Sequence, residues 1–379
     1  MTKISVLGAG LVGFPIALDL SKDAGFQVTL YDIRKERLQR ITQKHKLVTV
    51  QADLSDESMV REIARKSDLV VSAVPGHLGF QTLKYIIEEG KNVIDIAFFP
   101  EDLFELEELA KKNDVIAISD IGVAPGMSNI LTAYCSKKLD YAEKARIYVG
   151  GLPVARQLPF EYRAPFSPID VIEEYTRPAR FIRDGKLVEM PALTEPELMN
   201  FAGIGTLEAF NSDGLRSLIR TIKCPDMIEK TLRYPGHLAK IQLLKDIGML
   251  STEPVDVKGQ QIRPIDLTTQ LLFPMWDLKN EEDLTVMMVM VEGTKDGKKM
   301  RFTWELSDRF DADTGIHSMA RTTGYTATAA VRMVTSGIYT RKGVSPPEYI
   351  GFEPQCVEFM LHDLAMHNVI YTETTEILP

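Results

Sequence analysis

The feature that most constrains this chain is Gly8-Ala9-Gly10-Leu11-Val12-Gly13, which follows directly on the apolar segment Ile4–Leu7. A G-x-G-x-x-G run between a strand and a helix has separate work for each glycine. Gly8 permits the tight turn, Gly10 lets the backbone approach a pyrophosphate, and Gly13 lets helix and strand pack closely. The helix start, with Leu11 and Val12, then offers unpaired N–H groups to phosphate oxygens. The next apolar run, Val28–Tyr31, leads into Asp32, nineteen residues beyond Gly13. An acid there accepts hydrogen bonds from the adenosine ribose and repels a 2′-phosphate, which predicts NAD. Arg34 is the counterargument, because an arginine at that place can hold the 2′-phosphate of NADP. The bland alternative, a strand–helix turn with no nucleotide, is outweighed by this context.

The rhythm of the first third agrees. Ile4–Leu7, Val28–Tyr31, Leu47–Val50, Leu69–Val74, Val93–Ile96 and Val115–Ile118 are short and rich in β-branched residues, and helix-forming stretches separate them. Such alternation predicts a doubly wound α/β domain on a parallel sheet. After Pro125-Gly126 strands run on to strands. Arg146–Val149, Ile204–Phe210, and Leu284–Glu292 joined to Met300–Leu306 by an Asp-Gly turn predict an α+β domain on a mixed or antiparallel sheet. Ser318–Ser336 has helical period, and Pro346–Leu378 reads as a Pro-punctuated helix and tail.

Length and charge set the outer limits. A chain of 379 residues suits two domains. A net charge of −9 argues against nucleic acid or an anionic membrane as the main partner. Three scattered cysteines form no disulfide or zinc pattern, no apolar run reaches membrane-spanning length, and the N-terminus lacks the marks of a signal peptide. A soluble, cytoplasmic protein is the expectation. No H-E-x-x-H or other metal-ligand spacing occurs, so no metal is expected.

Several further positions belong to the expected cofactor crevice. Ser72-Ala73-Val74-Pro75-Gly76 ends the fourth strand, where Ala73, Val74 and Pro75 would line the site and His77 follows as a substrate candidate. Asp53, after the third strand, would contact the adenine or cap the next helix. Asp120-Ile121-Gly122-Val123-Ala124-Pro125-Gly126 follows the last strand, and the backbone of Gly122 and Ala124 would line the nicotinamide end.

Beyond these motifs the chain resembles the saccharopine dehydrogenase / lysine 6-dehydrogenase family, and among its members the short L-lysine 6-dehydrogenases. The resemblance lies in Ser72–Gly79, Asp120–Ile130, Val149–Pro153, Ser167–Arg180, Glu208–Ser217, Thr231–Lys240 and Met319–Thr326, in order along nearly the whole chain. It implies a Rossmann domain at residues 1–126 and a substrate-binding and dimerisation domain at 127–317. C-terminal helices at 318–379 would return to the first domain, in a homodimer or higher homo-oligomer. The implied reaction is NAD-dependent oxidation of a carbon–nitrogen bond in a small amino-acid substrate. For the short members this is deamination of the ε-amine of L-lysine to 2-aminoadipate 6-semialdehyde, which cyclises to piperideine-6-carboxylate. Relatives act instead on saccharopine or carboxynorspermidine, with NADP possible. A non-catalytic NAD-binding scaffold or sensor is the third reading. Leu11, Val12 and Phe14 depart from the small residues often found in such loops, but all three glycines are kept.

The chemistry demands a cation for the substrate carboxylate and a base for its ammonium. Arg233, Arg177, Arg180 and Arg321 are the candidate cations. Leu232-Arg233-Tyr234-Pro235-Gly236-His237 reads as the substrate loop, a turn that brings Arg233, Tyr234 and His237 together. His237 is the first choice of base because a free imidazole titrates near about 6.5, with Glu174 and Asp120 next. Tyr325 would reach the nicotinamide if its helix returns to the first domain.

Overall fold

The computed structural model describes residues 1–279 and 281–379, which divide into two compact units. The first comprises Met1–Asp140 with Met319–Thr372, and the second Tyr141–Ser318 with Glu373–Pro379. Among the described residues no helix is long and apolar enough to cross a membrane.

The first unit opens with β1 (Thr2–Leu7), α1 (Gly13–Leu20), β2 (Phe26–Asp32), α2 (Lys35–Lys44), β3 (Val48–Gln51) and α3 (Glu57–Arg65). It continues through β4 (Leu69–Ser72), α4 (Gly76–Glu88), β5 (Asn92–Asp95), α5 (Glu107–Lys112), β6 (Ile116–Ile118) and α6 (Met127–Lys138). Helix α6 thus stays with the first unit, on the far side of the Gly126 loop.

The second unit holds β7 (Tyr141–Pro153), α7 (Pro168–Thr176), β8 (Ala179–Arg183), β9 (Lys186–Met190), β10 (Glu197–Phe201), β11 (Gly205–Asn211), α8 (Leu218–Thr221) and β12 (Asp226–Arg233). There follow α9 (His237–Asp246), β13 (Val255–Val257), β14 (Gln260–Ile262), α10 (Pro264–Trp276), β15 (Asp283–Lys295) and β16 (Lys298–Arg309). The chain ends with α11 (Ser318–Thr335), β17 (Gly343–Ser345), α12 (Pro347–Gly351), α13 (Pro354–Met366) and β18 (Tyr371–Ile377).

Strands of the first unit lie in the order β17-β6-β5-β4-β1-β2-β3, with parallel pairing. Both faces of such a sheet are covered, which is why β4 is buried along its whole length. The order reverses between β1 and β4, and the carboxyl ends of the strands at that point form the ligand crevice of this architecture. Pro346–Leu378 differs from the helix-and-tail expectation, since it ends in a strand of the second sheet, and Gly343–Ser345 just before it adds a strand to the first. β17 pairs with β6 in the first, and β18 is the edge neighbour of β16 in the second. Tyr371–Ile377 is nearly all exposed and has no apolar face, so hydrophobic periodicity could not reveal it.

In the second unit the sheet order is β10-β11-β12-β7-β15-β16-β18, mixed because β12 runs parallel to β7 while β15 is antiparallel to it. Alternation along a strand divides its side chains between two cores. Phe210 joins the aromatic cluster of Tyr162, Tyr175 and Trp276, whereas Ala209 and Leu232 join Leu152, Leu207 and Leu284.

The first unit also encloses an ionic joint. Asp19 of α1 is buried and meets Arg332 of α11 at 2.8 Å and His367, just beyond α13, at 2.9 Å. Arg332 also reaches Asp23 at 2.8 Å and Asp363 at 3.1 Å. Burial opposes the charge on Asp19, but His367 and Arg332 outweigh it and hold the carboxyl well below its ordinary value. Burial likewise opposes His367, yet the bond to Asp19 raises it. The two signs differ. Asp19 loses its contribution only under strong acid, whereas that of His367 is complete below 6.5 and lost as pH rises through its raised folded value. Thermal melts from about pH 6 to about pH 9 should therefore show a loss of stability that His367→Gln flattens. Equal slopes in the two proteins would remove His367 from the joint's pH dependence.

Candidate functional site

The glycine turn is built by close approach. Gly8 has φ +99°, and a Cβ on it would stand 2.5 Å from the Ala73 carbonyl oxygen. A Cβ on Gly13 would stand 2.0 Å from the Gly8 carbonyl oxygen. Gly10 is different, since its Cβ would meet nothing within 4 Å. Two glycines are thus needed for packing, and the third leaves open space over the start of α1. A pyrophosphate at a helix N-terminus fits such a cradle. Leu11 is exposed, and Val12 precedes the helix and packs beside Gly324.

Asp32 is buried at the end of β2 and accepts from Ala9 N at 2.8 Å, which locks it to the glycine turn. Arg34 donates to both of its oxygens, Nε to Oδ1 and Nη2 to Oδ2, each at 2.9 Å, and its backbone N–H adds a third bond at 2.8 Å. Burial works against ionisation, but these donors hold Asp32 down at about 2. The Arg34 side chain is 54% exposed, so the competing acid and arginine stand together at the crevice mouth. Arg37 adds a bond to the Ala9 carbonyl. Asp53 is exposed and accepts from Ser55, and the cap of α3 is Asp56, which accepts from Ser58 N at 2.8 Å.

Around the carboxyl edge, Ala73 lies against the glycine turn, Val74 is buried and Pro75 exposed. His77 is exposed in the first turn of α4. Asp120 is buried with φ +57°, a left-handed backbone that aspartate tolerates better than most residues. Gly122 packs against Thr323 and Pro125, and Ala124 precedes Pro125 in the same loop. Arg321 and Tyr325 belong to the first unit, where Arg321 donates to the His367 carbonyl at 3.0 Å and the Tyr325 ring lies 4.6 Å from the His367 ring.

The second unit holds a separate polar cluster. Arg233, at the end of β12, is 1% exposed and lies over the Tyr162 ring, 4.5 Å from its centroid. It donates to Glu174 at 2.7 Å, to Tyr175 Oη at 3.1 Å and to the Leu232 carbonyl at 2.9 Å. Glu174 is 24% exposed, which makes it the open side of the pair. Burial raises the Glu174 carboxyl, opposed by Arg233.

Two expectations about this loop are corrected. His237 is fully buried, with Nε2 on Tyr175 Oη at 2.9 Å and Nδ1 on the Phe160 carbonyl at 3.0 Å. Burial, with the charge of Arg233 adding to it, pushes its pKa down to about 3, so the near-neutral titration that recommended it as base does not exist. Tyr234 points to the other face of the sheet and donates to the Pro153 carbonyl at 2.9 Å, because neighbours in a strand face opposite ways. Outside the loop, Arg177 pairs with Glu173, and Arg180 makes a two-pronged bond to Asp213 at 2.9 Å.

Other members of the cluster lie outside the sequence motifs. Tyr175 links Arg233 to His237, and the hydroxyl of buried Tyr162 has no partner among the described residues. Glu229 accepts from Ser212 Oγ at 2.7 Å and Gly214 N at 3.1 Å, and burial pushes it up to about 8. The available signal was the alternation Glu229, Thr231, Arg233, three polar residues on one face of a strand.

Comparison with known proteins agrees with this architecture. Residues 4–118 match the saccharopine dehydrogenase NADP binding domain, and residues 122–370 the saccharopine dehydrogenase C-terminal domain. The chain is 24% identical to mouse (Mus musculus) mitochondrial alpha-aminoadipic semialdehyde synthase over 69% of its own length, but spans only 30% of that protein. It is 23% identical to the NADP(+), L-glutamate-forming saccharopine dehydrogenase of Schizosaccharomyces pombe, over 92% of this chain and 94% of that one. It is 22% identical to carboxyaminopropylagmatine dehydrogenase of Synechocystis, over 98% of both. The apo saccharopine dehydrogenase (L-Glu forming) of Saccharomyces cerevisiae shares the fold at TM-score 0.82 and 19% identity, covering 99% of this chain and all of that one. With both halves matched in order, the chain belongs to the saccharopine dehydrogenase family of oxidoreductases.

Proposed function

We propose that this protein is an L-lysine 6-dehydrogenase that uses NAD. The observation that carries the reading is the buried Arg233 with Glu174 on its open side. A cation and a carboxylate side by side match the carboxylate and ammonium of an α-amino acid, and arginine suits the planar carboxylate. The Tyr162 hydroxyl, without a partner among the described residues, lies beside Arg233 and adds a donor to the same place. In the first unit, Asp32 and the open cradle at Gly10 suit NAD, which when bound would accept the hydride from the ε-carbon. The ε-ammonium must first lose a proton to a general base. Water then adds to the resulting iminium and ammonium leaves. The sum is lysine, NAD⁺ and water giving the semialdehyde, ammonium, NADH and one proton.

A second reading has support of its own, because the Synechocystis carboxyaminopropylagmatine dehydrogenase aligns over the full chain. Here the substrate is a secondary amine, saccharopine or a carboxylated polyamine, handled with NADP(H).

Purified protein mixed with L-lysine and NAD should produce NADH, followed by its absorbance. No NADH from lysine, with NADPH consumed when an aldehyde and an amine are supplied, would replace the first reading with the second. Binding of NAD without turnover of any such compound would point to a sensor.

Arg233→Lys should raise the KM for the amino acid roughly tenfold or more, the scale of one hydrogen bond to a charged group. An unchanged KM in a folded variant would take Arg233 out of the carboxylate site. Arg34→Ala should weaken NADP roughly tenfold and leave NAD as tight or tighter, because it frees both oxygens of Asp32. Equal loss for the two nucleotides would show that Arg34 does not discriminate between them.

A further inference from the structure

A polar rung crosses the first sheet immediately below its carboxyl edge. Ser72, the last residue of β4, stands opposite Asp95, the last residue of β5. Ile94 stands opposite Ile118 of β6, so Ser119 comes next to Asp95 on the other side. All three are fully buried. Ser119 Oγ donates to Asp95 Oδ2 at 2.8 Å, while Asp95 Oδ1 has no hydrogen-bond partner among the described residues. The Ser72 hydroxyl lies near enough to ease ionisation but not in hydrogen-bonding geometry.

Each member of the rung precedes a stretch of the expected crevice. Ser72 leads into Ala73–Pro75, which abuts the glycine turn, and Ser119 leads into Asp120 and the Gly122 loop. Asp95 also binds that second turn through its backbone, its carbonyl accepting from Ile121 N at 3.3 Å. A doubly wound sheet binds one mononucleotide on each half. With the adenosine on the β1-β2-β3 half at Asp32, the nicotinamide falls to the β4-β5-β6 half that Asp95 underlies. This step rests on the dinucleotide reading proposed above.

We propose that Asp95 is the buried acid whose protonation tunes how the site weighs oxidised, cationic nicotinamide against reduced, neutral nicotinamide. A carboxylate beneath the crevice attracts the cationic ring and does nothing for the neutral one, and a protonated carboxyl does neither. Burial pushes Asp95 up to about 7, the charge on Asp120 adds to that, and the Ser119 hydroxyl opposes it. The neighbouring strands bring hydroxyls, the turn after β5 brings the Ala97 N–H, and α4 packs Gly79 against Ala97 and Phe99. Among these leading influences the charged group is Asp120. Its ionisation as pH rises through neutrality should strengthen NAD⁺ relative to NADH.

The test is binding rather than turnover. NADH is titrated by its fluorescence and NAD⁺ by competition, at about pH 6 and about pH 8.5. In the wild-type protein the ratio of Kd for NADH to Kd for NAD⁺ should rise roughly three- to tenfold, the scale of one screened charge–charge interaction. Asp95→Asn, which keeps the shape and loses the titration, should give a flat ratio at an unchanged melting temperature. The same rise in Asp95→Asn as in the wild type would overturn the proposal. Should that variant fail to fold, Ser119→Ala decides, because losing the donor should move the midpoint of the change to higher pH, and an unmoved midpoint overturns it too. A wild-type protein that binds neither nucleotide defeats the dinucleotide reading and this proposal with it. Binding with a flat wild-type ratio defeats the proposal alone.

Discussion

A carboxylate on the first helix cannot remain buried and charged without a partner, and meeting that demand shapes the first unit. Asp19 finds its partners in Arg332 and His367, more than 300 residues further along the chain. The helix that opens at the glycine turn is therefore held by the C-terminal segment. That segment adds β17 to the sheet edge and packs α12 against α6, with Gly351 against the Ile130 carbonyl. Removing one partner of such a joint leaves an uncompensated charge, so the cost falls on the helix start as well as on the tail. A doubly wound domain that could have closed within 140 residues is instead completed by its own far end.

At the crevice mouth the same rule produces a different outcome. Asp32 is satisfied locally, by the turn it locks and by an arginine two residues away. The arginine is half-exposed, whereas the Ala9 N–H is part of the turn. The residue that argues for NAD and the residue that argues for NADP are thus bonded to each other, which explains why the motif by itself leaves the choice of nucleotide open.

In the second unit, burial decides which polar residues can act. Arg233 and His237 were legible as chemistry-bearing residues because they sit four apart in a short loop. Their environments were not legible. His237 sits among Tyr162, Tyr175 and Trp276 and is held neutral, while Arg233 keeps its charge because Glu174 and two aromatic rings surround it. Tyr234 went to the opposite face because Arg233 ends a strand, so a loop that looks like one cluster in sequence is divided by the sheet.

The sequence by itself determined the strand–helix alternation of the first third, the glycine turn with Asp32, and the Asp296-Gly297 hairpin, since each depends on residues close along the chain. Local periodicity also pointed to the mixed second sheet and to the long helix from Ser318. Only the tertiary structure decided that Tyr175 joins Arg233 to His237, that Asp95 lies between Ser72 and Ser119, and that Tyr371–Ile377 is a strand. Those outcomes depend on register and on desolvation by distant segments. Neither leaves a trace in the spacing of residues along the chain.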